Sequence, residues 1–186
     1  MTELEPLIGE PLPLDLVNTR PVGTDLLRTP EQLGRWLSLQ ADRLPEASLR
    51  PTRADLDAVQ GVREHLSAVL DALLDDRRPP APALRGLDAA ISAAPAVRRL
   101  AWTRETLSAT VVREGNSSAR LAAALADAAV DLLTGPSISR LKRCAADDCV
   151  MLFLPAHPRR QWCSPERCGN RARVARYYQR HKAATD

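Results

Sequence analysis

Apolar residues recur every three or four positions between Thr52 and about Leu74, at Leu56, Val59, Val62, Leu66, Val69 and Leu73. This spacing predicts a long amphipathic helix with one buried stripe. A shorter helix is predicted over Thr29 to Gln40, where Thr29 suits the N-cap, Pro30 suits the first helical position, and Leu33, Trp36, Leu37 and Leu39 supply the apolar side. The run Asp75 to Pro82 contains Arg77-Arg78-Pro79-Pro80-Ala81-Pro82, which cannot continue a helix. Leu84 to Ala94 is predicted as the next helix, with Leu87 and Ile91 four residues apart and Pro95 as the stop.

The period then changes. Val97 to Trp102 and Thr106 to Val112 read as extended segments, and in the second Leu107, Ala109 and Val111 alternate with Ser108, Thr110 and Val112, as in one arm of a hairpin. A turn at Gly115-Asn116-Ser117 leads into a helix over Ser118 to Leu133 with Leu121, Leu125, Ala128 and Leu132 on one stripe, and Thr134-Gly135-Pro136 ends it. Trp36 and Trp102 are expected in the core. The fold class expected is α+β: a mainly helical N-terminal domain with a small antiparallel β hairpin, residues 1–137, followed by a separate C-terminal module, residues 138–186.

That module contains every cysteine in the chain: Cys144, Cys149, Cys163 and Cys168. Each pair has four intervening residues, which lets both sulfurs of a loop reach one ion, and four thiolates in a tetrahedron suit zinc. The rival reading, two disulfides, requires an oxidising compartment. Met1 to Pro13 carries three glutamates and no cationic stretch followed by a long apolar run, so it does not read as a secretory signal, and a cytoplasmic location is expected. No run of 18 apolar residues is present, so no membrane partner is expected. One Zn²⁺ is the expected cofactor. With four thiolates its sphere is closed, so the ion would be structural and would not activate water.

Ile138 to Arg143 and Val150 to Leu154 are expected to pair as strands around the first cysteine loop. Ser164, Pro165 and Glu166 suit the start of a helix running to about His181, with Cys168 in its first turn. Loop, strands and ligand-bearing helix together describe a treble-clef-like zinc finger.

Charge separates the two parts. Residues 1–139 hold 15 Lys/Arg against 19 Asp/Glu, net −4, and residues 140–186 hold 11 against 4, net +7. A basic module on a mildly acidic body suits a polyanion. On the C-terminal helix Arg173, Arg176 and Arg180 share a face, with Arg171 and Lys182 nearby; such a face can enter a major groove or follow phosphates. Asn170 has two readings, a base contact or a hydrogen bond to the finger's own backbone. Outside the finger, Asp15, Asn18 and Thr19 would share a side if their segment is helical and would line a ligand pocket; capping and turn hydrogen bonds are the alternative. His65, His157 and His181 have no catalytic setting, and there is no phosphate loop or nucleophile elbow.

The run Arg159-Arg160-Gln161-Trp162-Cys163-Ser164, with Cys168-Gly169-Asn170-Arg171, resembles the CGNR zinc finger. Leu14-Asp15-Leu16-Val17-Asn18-Thr19 resembles the LDxxNT motif of the ABATE domain that usually precedes that finger. Gln161, Pro155 and Pro158 depart from the finger's pattern. The resemblance implies a bacterial transcription regulator with a zinc-dependent, DNA-binding C-terminus, to which Arg159, Arg160, Asn170, Arg171, Arg173, Arg176, Arg180 and Lys182 would contribute. The N-terminal domain would sense a small-molecule effector or form a homodimer. Two further readings stay open: a protein-interaction adaptor whose zinc only stabilises the fold, and, more weakly, a small-molecule-modifying enzyme. The chain is expected to bind rather than catalyse.

Overall fold

The computed structural model describes residues 5–44, 47 and 50–174. Its order is α1 (Leu12–Val17), α2 (Pro30–Leu39), α3 (Arg53–Leu74), α4 (Ala81–Ala93), β1 (Ala96–Thr103), β2 (Thr106–Arg113), α5 (Ser117–Thr134), a 3-10 helix (Pro136–Arg140), β3 (Lys142–Arg143) and β4 (Leu152–Phe153). A π-helical turn (Pro165–Gly169) then continues as α-helix through residue 174. The class is α+β, with helices forming the body and two small antiparallel ladders.

Local signals set the helix ends. Thr29 and Gln32 form a reciprocal capping box on α2, and Thr52 and Asp55 form another on α3, each satisfying otherwise unpaired N–H groups. Asn116 caps α5 through Ala119 N–H. Helix α4 begins three residues before its expected start, at Ala81. Pro82 lies in the first turn, where a missing N–H costs nothing, so the proline run starts this helix as well as separating it from α3.

The central helix is α3, packed against α1, α2, α4 and α5. Leu56, Val59, Val62, Leu66 and Val69 are buried as the periodicity predicts, while Leu73 is exposed and Leu70 takes its place. On α2 Leu33, Trp36 and Leu37 are buried and Leu39 faces solvent. Leu121, Leu125 and Leu132 of α5 close the core from the opposite side. Helix α4 approaches α3 closely at Gly86, where a Cβ would fall 2.2 Å from the half-buried His65 ring.

The hairpin departs from expectation. β1 and β2 pair over their whole length, from Ala96↔Arg113 to Thr103↔Thr106, but neither strand has a buried residue. Trp102, expected in the core, is 70% exposed. Period-two alternation reports which residues share a sheet face, not whether anything covers that face. Arg104 and Glu105 turn the chain with φ of 45° and 71°, the left-handed pair that a two-residue loop requires.

In the C-terminal module, Ile138 to Arg140 belong to the 3-10 helix rather than to a strand, so the ladder is confined to Lys142↔Phe153 and Arg143↔Leu152. Leu152 lies in the body's core, with Ile138, Leu141 and Leu154 packed at its edge. Phe153, the next residue, points the other way into a second cluster with Met151, Cys144, Cys163 and Cys168. Strand alternation thus makes β4 a wall between two cores.

Candidate metal centre and its attachment to the body

Three elements deliver the sulfurs. Cys144 follows β3, Cys149 precedes β4, Cys163 precedes the Ser164 cap, and Cys168 lies within the π-helical turn. Ser164 accepts a hydrogen bond from Arg167 N–H, and the backbone N–H groups of Cys168 and Gly169 both donate to Ser164 O, which folds this turn tightly around Cys168.

The four ligand atoms lie within 4.8 Å of one another, and three of the cysteines are buried. Cys149 and Cys163 Sγ are 3.8 Å apart, and Cys163 and Cys168 Sγ are 3.6 Å apart. A tetrahedron with Zn–S bonds near 2.3 Å has edges of about 3.8 Å, whereas a disulfide needs about 2.0 Å. The donor set and its dimensions therefore fit one zinc ion. Burial pushes the Cys149 thiol up to about 11 and also raises Cys163, with the neighbouring sulfurs adding to the effect. Burial would also raise Cys144, but N–H groups of Cys163 and Ala146 hold it below its ordinary value. Sulfurs this close repel one another as thiolates, and a dication is the species that removes the repulsion.

Arg171 reaches Cys168 Sγ at 3.5 Å and Asp148 at 2.8 Å, placing a cation beside the sulfurs. A groove of about 850 Å³ opens next to them, edged by Arg167, Arg171 and Asp148.

Comparison with known families matches residues 10–136 to ABATE, described as "Putative stress-induced transcription regulator". The chain belongs to this family. Residues 140–181 match the CGNR zinc finger, so the four cysteines hold one structural zinc ion. No curated protein matches the chain.

The three ABATE motif residues, Asp15, Asn18 and Thr19, are buried and line none of the described cavities. Asp15, fully buried in α1, accepts backbone N–H bonds from Gly9 at 3.1 Å and Glu10 at 3.0 Å, and pairs with Arg43. Thr19 Oγ1 donates to Leu16 O at 2.6 Å and accepts from Arg63 at 2.9 Å. Asn18 Nδ2 donates to Leu152 O, and Leu152 N–H donates back to Asn18 Oδ1, both at 2.8 Å. The local part of this set is the capping alternative. The Asn18 bond is something else: it ties the ABATE body to the CGNR finger.

Arg160 adds a second tie. It donates to Glu10 Oε1 at 2.7 Å and to Cys163 O at 2.6 Å, and its guanidinium stacks 4.5 Å over the Phe153 ring. Glu10 in turn accepts from Leu154 N–H at 2.9 Å. Arg160 thus spends its guanidinium on partners in both the finger and the body. Arg143 forms a third tie, to Asp71 and Asp75 on the end of α3. Hydrogen bonds from Arg77 and Arg143 hold the Asp75 carboxyl below its ordinary value.

Arg159 and Arg173 are exposed; Arg173 donates to Asn170 Oδ1 at 2.7 Å. Asn170 Nδ2 donates to Glu166 O at 3.1 Å, which is the backbone-bonding reading of this residue. Arg176, Arg180 and Lys182 lie outside the described residues.

Sequence reasoning missed Arg63. It is 2% exposed on α3, bonds Thr19, and forms a two-point pair with Asp25 at 2.8 and 2.6 Å. Its signal was a charged residue set directly beside Val62 in the apolar stripe. Among the described residues no helix is long and apolar enough to cross a membrane.

Proposed function

We propose that this ABATE and CGNR protein regulates transcription by binding DNA through the finger and its C-terminal helix. The observation that carries the reading is the exposed cation series, Arg171 and Arg173 at the start of a helix anchored on the metal site, continued in sequence by Arg176, Arg180 and Lys182. Zinc fixes the direction of that helix, and arginine forks suit both guanine edges and phosphate oxygens. Arg159 flanks the helix start from the preceding loop. The role of the ion is to hold the loops in place; the contacts to nucleic acid come from side chains.

Fluorescence anisotropy of a random duplex with the full-length, zinc-loaded protein tests this. With about five phosphate contacts, log affinity should fall with log salt at a slope of about −4 to −5. Replacing Arg173, Arg176 and Arg180 together by Ala should abolish binding while zinc stays near one per chain. Binding that survives the triple variant overturns the assigned face.

A second reading, an interaction adaptor, is favoured by one observation. Arg160 and Arg143 spend their charge on Glu10, Asp71 and Asp75, which lowers the positive potential the finger presents. Under that reading the wild-type protein would show no salt-dependent shift of duplex DNA.

A further inference from the structure

The hairpin β1–β2 has two chemically distinct faces. The register places Arg98/Val111, Leu100/Ala109 and Trp102/Leu107 on one face, and Arg99/Thr110, Ala101/Ser108 and Thr103/Thr106 on the other. On the first face Leu100 is 73%, Trp102 70%, Leu107 66% and Val111 51% exposed. Nothing among the described residues covers it, and a lone two-stranded ribbon is marginal in water.

The same face runs into a hollow at its base. Val111 and Arg113 form one wall of a cavity of about 360 Å³ whose floor is apolar, from Leu12, Leu44, Leu121 and Ala128. Arg113 fixes the ribbon there by donating to Ala94 O at 2.8 Å and pairing with Asp127. The face is thus bulky at its tip, with Trp102 and Leu107, and hollow at its root. Eight residues of strand span about 27 Å, so a ribbon cannot fill its own hollow.

We propose that two copies of the chain pair through this face, with Trp102 and Leu107 of each copy seated over the cavity of the other. A two-fold rotation that lays the ribbons face to face and antiparallel puts each bulky tip towards the partner's hollow root and sets Leu100 against Leu100 and Ala109 against Ala109 at the centre. Such self-complementarity is what a two-fold interface demands. The exposed apolar side chains offer on the order of 500 Å² per copy, so pairing buries roughly 1,000 Å² before the cavity floor is counted, the lower limit for a specific interface. This pairing does not rest on DNA binding.

Sedimentation velocity of the full-length, zinc-loaded protein should give twice the 20.4 kDa chain mass at micromolar concentration. Leu100→Glu with Trp102→Glu should weaken the dimer roughly thirtyfold or more, while Thr110→Glu on the opposite face should leave it intact. Zinc content and far-UV circular dichroism report whether each variant folds. A photo-crosslinking residue placed at position 102 gives an independent readout, with products expected between copies, mapping to residues 111–128. A monomeric wild type, a dimer that survives the double variant, or crosslinks that map elsewhere would each overturn the proposal. A monomer whose cavity binds a small amphipathic ligand would do the same.

Discussion

Asn18 behaves toward Leu152 as a neighbouring β-strand would: its side-chain amide donates to the leucine carbonyl and accepts from the leucine N–H, both at 2.8 Å, across 134 residues of sequence. An amide is the smallest side chain that offers a donor and an acceptor in the spacing of a peptide group. Both atoms of Leu152 would otherwise be buried and unpaired beside the body's core. Asn18→Ala should therefore cost about 2–4 kcal/mol in denaturant unfolding, and Asn18→Asp should cost a comparable amount, since a carboxylate cannot donate to Leu152 O. Unfolding that matches wild type in both variants would show that the bond contributes nothing net.

Zinc removal should reach past the finger. Phe153, Met151 and the cysteines form their own small cluster, and a core of that size depends on the metal for most of its folding energy. Leu152, however, belongs to the body's core. Chelation is expected to unfold residues near the cysteines, keep the far-UV helical signal of α2, α3 and α5, and lower the body's Tm by several degrees. An unchanged Tm after complete zinc loss would mean that β4 does not couple the two cores. In the same centre, Arg171→Ala should weaken zinc affinity roughly tenfold or more, read by competition with a chromogenic chelator, because it removes the cation beside Cys168 and Asp148.

Some of this architecture was legible in the chain. Thr29 and Thr52 announce their helices because a cap is made with residues three positions away, and the cysteines announce their ion because ligand loops are short. Other features depend on partners that sequence neighbours do not reveal. Asn18 reads equally well as a turn residue or a pocket residue until Leu152 is placed beside it. Arg160 looks like one half of a basic pair, yet Glu10 and Phe153 claim it. Trp102 fails for a related reason: alternation marks its face, and the body does not fold back to cover it.

The Arg63–Asp25 pair gives the body a defined acid sensitivity. Burial raises the Asp25 carboxyl, but the Arg63 guanidinium, the Leu27 N–H and Arg20 outweigh it and hold the group below its ordinary value of 3.8. A depressed carboxylate contributes stability that is fully present above the unfolded value and is lost as pH falls through the lower folded value. Wild-type stability is therefore expected to be insensitive to this pair near neutrality and to fall below about pH 4. Asp25→Asn should flatten that part of the acid limb, and Arg63→Ala should cost about 3–5 kcal/mol at neutral pH by stranding Asp25 and Thr19. An acid unfolding profile unchanged by Asp25→Asn would remove the pair from the account.

Arg159 and Arg160 are adjacent and chemically identical, and their environments predict opposite phenotypes. Arg160 stacks on Phe153, bonds Glu10 and Cys163 O, and is 27% exposed, so Arg160→Ala removes an ion pair, a ring contact and the partner of a buried carboxylate. That loss should cost about 2–4 kcal/mol of stability, visible as a lower Tm of the zinc-loaded protein. Lys would not restore it, because an ammonium cannot stack flat on the ring while forking to Glu10 and Cys163 O. Arg159 is exposed and bonds only through its backbone N–H, to His157 Nδ1 at 3.2 Å, among the described contacts. Arg159→Ala should leave Tm within about 0.5 kcal/mol equivalent of wild type and lower the salt slope of duplex binding by about one. Equal loss of stability in the two variants would contradict the internal role of Arg160, and an unchanged salt slope for Arg159→Ala would take that residue off the nucleic-acid face.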